Sequence, residues 1–314
     1  MTVSYLAPLQ RAVARARSLL FSPFRLEMWL VLGFAAFLSE WLSGGAVQGG
    51  GQRFGTHGHG FHPFGLLPAL VWGPLLVALV SGIIVVAIVF LWLGSRGKFV
   101  FLDDVVHGRA AIVEPWNRFA RLGNSLFLWK LGFGVLGGAL MIGVVGATMG
   151  TAVLSWLRFH ERLAMAPPII GGIALVSCLG LLFVFIGLLL DNFVVPLMYR
   201  QGLNANAAWG RFLPLFREHL GQFILYALFL LVVWIVVFAA VVAVGFATCC
   251  IGFLLMLGPY IGQVVLLPVY VGFRYLGPEF LAQFGPEFDV FAQPQAQPPA
   301  APAPAPGPAR GATA

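Results

Sequence analysis

The chain has 314 residues, 60% of them hydrophobic and only 9% charged, with a net charge of +7 and a mean hydropathy of +0.93. A water-facing surface needs roughly a quarter of its residues charged, so a soluble enzyme or binding module is excluded and most of the surface must face lipid. The Lys and Arg residues border apolar runs and build no separate basic domain, which makes anionic lipid headgroups, rather than nucleic acid, the expected partner.

In chain order, the first element is an amphipathic helix on which Leu6, Leu9, Val13, Ala16 and Leu20 oppose Arg11, Arg15 and Ser18. A bilayer crossing takes about 20 apolar residues at about 1.5 Å each. Six runs qualify, at residues 28–42, 66–93, 125–157, 168–190, 223–248 and 251–275. The first is short and is followed by Ser43, Gly44, Gly45 and Ala46, as a cleaved leader would be. Trp29, Glu40 and Trp41 instead suit an anchored span with an aromatic belt.

After this run comes a glycine-rich loop containing His57, His59 and His62. Three imidazoles so close would ligate zinc or copper if the loop folded around the ion. No Cys or carboxylate accompanies them, and the plainer reading is a solvated loop. The third run is rich in glycine, and the Gly134 to Gly138 and Gly146 to Gly150 spacings suit close helix contact.

Asp191 closes the fourth run. An acid in a span marks either a substrate pathway or a structural pair, and its position near the run's end favours pairing with Arg200 or with a basic interfacial helix. Asp103 and Asp104, with His107 and Glu114, read as acids in a loop balanced by Lys98 and Arg109. Cys249 and Cys250 mark a tight turn before the sixth run. Residues 1–280 thus form a membrane domain and 281–314 a disordered tail of Gln, Pro, Ala and Gly.

Fifteen of the 18 Lys and Arg residues fall on one side of the six runs, leaving Arg53, Arg158 and Arg162 on the other. The positive-inside rule places the richer side, with both termini, in the cytoplasm of a bacterial inner membrane.

Two inner segments rhyme. Residues 99–108 and 193–202 both run from Phe to Gly, and each is followed by Trp. The pattern continues as Trp116-Asn117-Arg118-Phe119 and Trp209-Gly210-Arg211-Phe212, each on an amphipathic helix entering a span. Arg118, Arg121, Arg211 and Arg217 lie on the polar faces, where they would meet lipid headgroups. With the opening helix, this suggests three units of interfacial helix plus hairpin.

The runs Arg96-Gly97-Lys98-Phe99 and Asp191-Asn192-Phe193-Val194-Val195-Pro196-Leu197-Met198-Tyr199, leading into these Trp motifs, resemble a group of uncharacterised bacterial membrane families. That group is related to the membrane domain attached to some glycerophosphodiester phosphodiesterases. The resemblance covers about residues 5–280 and implies a multi-span, non-enzymatic domain. The phosphodiesterase barrel is no part of this sequence, so its chemistry is not carried over.

The expectation is therefore an all-α polytopic membrane protein with no cofactor and no catalytic residue. It would act as a scaffold, lipid-organising or accessory component, with a transporter or channel as the alternative. A second copy or another membrane protein is an open choice of partner.

Overall fold

The computed structural model describes residues 4–22, 24–41, 66–248, 252 and 259–291. The expectations for His57, His59, His62, Cys249, Cys250 and residues 292–314 of the tail fall outside them, whereas residues 281–291, also expected to be disordered, are folded back on the bundle, with Val290 buried and Phe291 packed on Tyr275. Among the described residues every regular element is helical.

The opening helix α1 (Leu6–Phe21) is followed by α2 (Leu26–Ala36), which continues through a π-turn at Phe37–Trp41. Then come α3 (Leu66–His107), the short α4 (Val113–Arg118) and α5 (Ala120–Phe159). A 3₁₀ turn, Arg162–Met165, leads into α6 (Ala166–Leu189), a π-turn at Leu190–Val194 and α7 (Val195–Gln201). The rest is α8 (Ala205–Glu218), α9 (Leu220–Ala247), α10 (Pro259–Val265) and α11 (Leu267–Leu281), closed by two 3₁₀ turns.

Four of these stretches are long and apolar enough to cross a membrane: Pro74–His107, Ala120–Phe159, Leu163–Gln201 and Leu220–Ala247. The first expected span is shorter, since residues 26–41 reach only about 24 Å as a helix. The sixth is represented by α10 and α11, with most of residues 251–258 outside the described set.

Helix α3 is 42 residues long, about 63 Å, twice what the bilayer core requires. Residues 98–107 are therefore helix rather than the loop expected around Asp103 and Asp104. No proline lies between Pro74 and Gly108, and the left-handed φ of +62° at Gly108 ends the helix. Gly202 ends α7 in the same way, at φ +66°.

Apolar side chains are buried chiefly at the Arg-rich end of the bundle. There Phe193 lies against Phe212, Phe223, Tyr226 and Phe280, with ring centroids 5.0–5.9 Å apart. Away from this end the spans are bare: Leu75, Val77, Ile83 and Val85 on α3 are all more than half exposed. Lipid tails are as apolar as leucine, so such faces gain nothing by packing together.

Three local expectations change. The buried stripe of α1 is Pro8, Ala12, Ala16 and Leu20, while Leu6 and Val13 are exposed. Small alanines let α1 lie close on α11, which a stripe of leucine and valine would hold off. Each interfacial helix is also separated from its span by a bend, at Phe119 and at His219, so neither face is continuous. Finally, Gly134, Gly138, Gly146 and Gly150 face open space. The α5–α6 contact is made instead where Gly137 meets Phe183 and Gly172 meets Thr148.

Candidate functional site

Asp191 sits in the π-turn between α6 and α7. The turn has a local cause. Pro196 has no N–H to give to the Asn192 carbonyl four residues back, and a π-turn absorbs that break in the helical ladder. The Asn192 side chain donates to the Leu188 carbonyl at 3.0 Å. Gly277 of α11 comes so close to the Asn192 backbone that a Cβ there would overlap its carbonyl.

The expected partner, Arg200, is not the one Asp191 meets. Its Oδ2 pairs with Lys98 Nζ on α3, and its Oδ1 accepts from Lys130 Nζ on α5 at 3.3 Å. The Lys98 side chain is 2% exposed and that of Lys130 12%, whereas Asp191 keeps 32%. Arg274 of α11 donates from Nη2 to the Lys98 carbonyl at 2.8 Å, so the cluster ties four helical segments together.

A second cluster lies one to three turns further along α3. Asp103, fully buried, accepts from the Tyr199 hydroxyl at 2.7 Å and from Arg109 Nη2 at 2.8 Å. Arg109 also reaches Glu114 Oε2 at 2.9 Å, and its hydrogen bond to Asp103 holds the guanidinium above its ordinary pKa. His107 Nδ1 lies 3.0 Å from the Asp103 carbonyl oxygen. Asp104 accepts from the Ala111 N–H at 3.0 Å. Arg109 thus balances Asp103 as expected from the sequence, but Lys98 belongs to Asp191.

A third clasp joins α1 to α11, where Arg11 and Arg15 converge through Nε on the buried Glu279 at 2.8 and 2.7 Å.

The four interfacial arginines are exposed. Arg118 lies over the Phe119 ring at 5.4 Å, and Arg121 donates to the Gly202 carbonyl at 3.2 Å, touching the cap of α7. The sequence placed Arg96 in a motif but gave it no partner; its guanidinium lies over Trp92 at 4.5 Å and Trp116 at 5.3 Å while donating to Asn124 Oδ1 at 3.1 Å. The spacing of Trp92 and Arg96, one helical turn apart, was the available signal.

The chemistry these groups perform is charge pairing. No group of three or more His, Cys, Asp or Glu suited to a metal ion occurs among the described residues.

Residues 4–285 match the family of unknown function DUF7544. The chain belongs to that family. No curated protein and no solved structure matches it. Every cluster described above in this DUF7544 member, from Arg11 to Glu279, lies inside the matched range.

Proposed function

We propose that the protein is a non-enzymatic, six-span inner-membrane component whose basic interfacial helices hold the anionic cytoplasmic leaflet, organising lipid or scaffolding other membrane proteins. The observation that carries this reading is how polar groups are used along the spans. Charged side chains gather at the Arg-rich end and pair with one another. Further along, Ser81, Thr148 and Thr151 return their hydroxyls to carbonyls of their own helices. A transport path would need polar groups facing one another at mid-membrane depth.

The placing of both termini at the cytoplasmic face is supported by the distribution of Lys and Arg. The threefold-unit reading is supported by the matching left-handed glycines, Gly108 and Gly202, and by the matching bends at Phe119 and His219. Kinship with the membrane domains of certain phosphodiesterases rests on the two motif runs alone.

Each Lys or Arg near an anionic surface contributes about 1 kcal/mol. Replacing Arg118, Arg121, Arg211 and Arg217 by Gln is therefore expected to reduce the preference for phosphatidylglycerol over phosphatidylcholine, read by native mass spectrometry from mixed nanodiscs. An unchanged preference overturns the proposal. The competing reading, a transporter, is favoured by one observation: Asp191 sits in a π-turn with a third of its side chain open. Proteoliposome flux that disappears in Asp191→Asn would establish it instead.

A further inference from the structure

A cleft of about 520 Å³ opens where the end of α1, the start of α2 and the end of α3 meet. That size falls in the ordinary range for small-molecule sites. Its polar wall carries Arg15, Ser18, Ser22, Arg25 and His107, and none of the residues lining it is acidic. Leu19 and Met28 supply an apolar floor.

These polar groups are not equally available. Arg15 is already paired with Glu279 and stacked over Phe291 at 4.1 Å. The Ser18 hydroxyl is given to the Arg15 carbonyl at 2.9 Å. His107 has its Nδ1 against the Asp103 carbonyl, which leaves only Nε2 for a ligand. Arg25 and Ser22 are exposed, and neither side chain has a hydrogen bond or ion pair among the described residues. The cleft therefore offers a guanidinium fork and a hydroxyl donor on a wall without negative charge, which is how proteins hold phosphate oxygens.

The rim indicates where that phosphate comes from. Phe21, Phe24 and Leu26 are 53%, 59% and 62% exposed, and the first two pack on Trp29 with ring centroids 5.6 and 5.5 Å away. Trp29 gives its indole N–H to the Leu20 carbonyl at 2.9 Å. An aromatic cluster with one polar tip is what sits at headgroup depth. Arg25 lies within it, directly before the apolar α2.

We propose that this cleft is a discrete site for the phosphate headgroup of an anionic glycerophospholipid, held by Arg25 and Ser22, with the acyl chains leaving over Phe24 and Leu26 along α2. The proposal rests on the leaflet-holding reading above but concerns one stoichiometric lipid rather than a diffuse preference.

The test uses the full chain in nanodiscs of phosphatidylglycerol and phosphatidylcholine, followed by extraction into mild detergent and native mass spectrometry. One phosphatidylglycerol per protein is expected to persist. Arg25→Glu, and separately Ser22→Trp, which fills the cleft without changing charge, should each lower its retention at least tenfold. Both positions are exposed, so folding is not at stake, and a circular dichroism melt checks it. The variant lacking Arg118, Arg121, Arg211 and Arg217 should keep the bound lipid while losing the diffuse preference, so the two readings fail separately. Retention unaffected by Arg25→Glu or Ser22→Trp overturns the site. So does equal retention of phosphatidylcholine. Inorganic phosphate binding with the same sensitivity to these variants, but with no lipid retained, would make the ligand a soluble phosphate and overturn the lipid assignment.

Discussion

Asp191 serves two ammonium groups at once, and that sharing decides what its loss does. Removing one partner of a buried pair leaves the other charge uncompensated, which costs about 3–5 kcal/mol when burial is complete. Asp191 is a third open, so solvent screening brings its cost to the bottom of that range or just below it. Asp191→Asn is expected to destabilise by roughly 2–3 kcal/mol, because both Lys98 and Lys130 lose their counter-charge. Lys130→Met leaves a balanced Lys98–Asp191 pair and should cost less than about 1 kcal/mol. Thermal unfolding of the two variants in the same detergent gives the ranking, and equal losses would mean that the shared carboxylate is not the keystone of the cluster. The lysine partners were the hardest part of the site to read. Spacing along one helix shows which residues share a face, not which helices face each other. A trace did exist, since Lys98 immediately precedes Phe99 and Asp191 stands two residues before Phe193, the Phe residues that open the two rhyming segments.

At the level of elements, hydropathy located the helices but not their ends. The apolar run of α3 stops near Leu93, whereas the helix continues to His107, because its polar turns are buried, Lys98 against Asp191, Asp103 against Tyr199 of α7 and the Val105 carbonyl against Tyr275 of α11. Composition cannot distinguish a polar loop from a polar helix that packs inside a protein. The π-turn was equally hidden. Pro196 announced a break in the helix but not that the chain would widen rather than kink. Glycine spacing misled in a way that is open to test. Gly277 is indispensable by geometry, since the Asn192 carbonyl occupies the place of its missing side chain, whereas Gly138 faces nothing. Gly277→Ala should destabilise by about 1–3 kcal/mol through overpacking. Gly138→Ala should be neutral, or stabilising by up to about 1 kcal/mol, as expected for an exposed helical glycine. Melting temperatures of the two single variants decide this, and a harmless Gly277→Ala would mean that α11 and the π-turn can separate without loss.

For the whole molecule, the sidedness of the charges makes a prediction that needs no lipid assay. A single cysteine at Asn206, exposed on α8, should react with a membrane-impermeant maleimide only in opened vesicles, and one at Glu161, exposed between α5 and α6, should react in intact cells. The reverse pattern would invert the topology and remove the interfacial helices from the leaflet proposed for them. The 42-residue α3 also carries a consequence for how this fold tolerates change. From Pro74 to Phe90 its side chains are exposed on every face, so no neighbour dictates the shape of any one of them there. Isoleucine, leucine and valine should exchange freely along that stretch, while a single arginine near its middle would meet a penalty of about 2.5–3.5 kcal/mol. The instructions that make the structure unique are thus written in its inner third, and mutational drift should accumulate in the outer turns of α3 while the clasped end stands still.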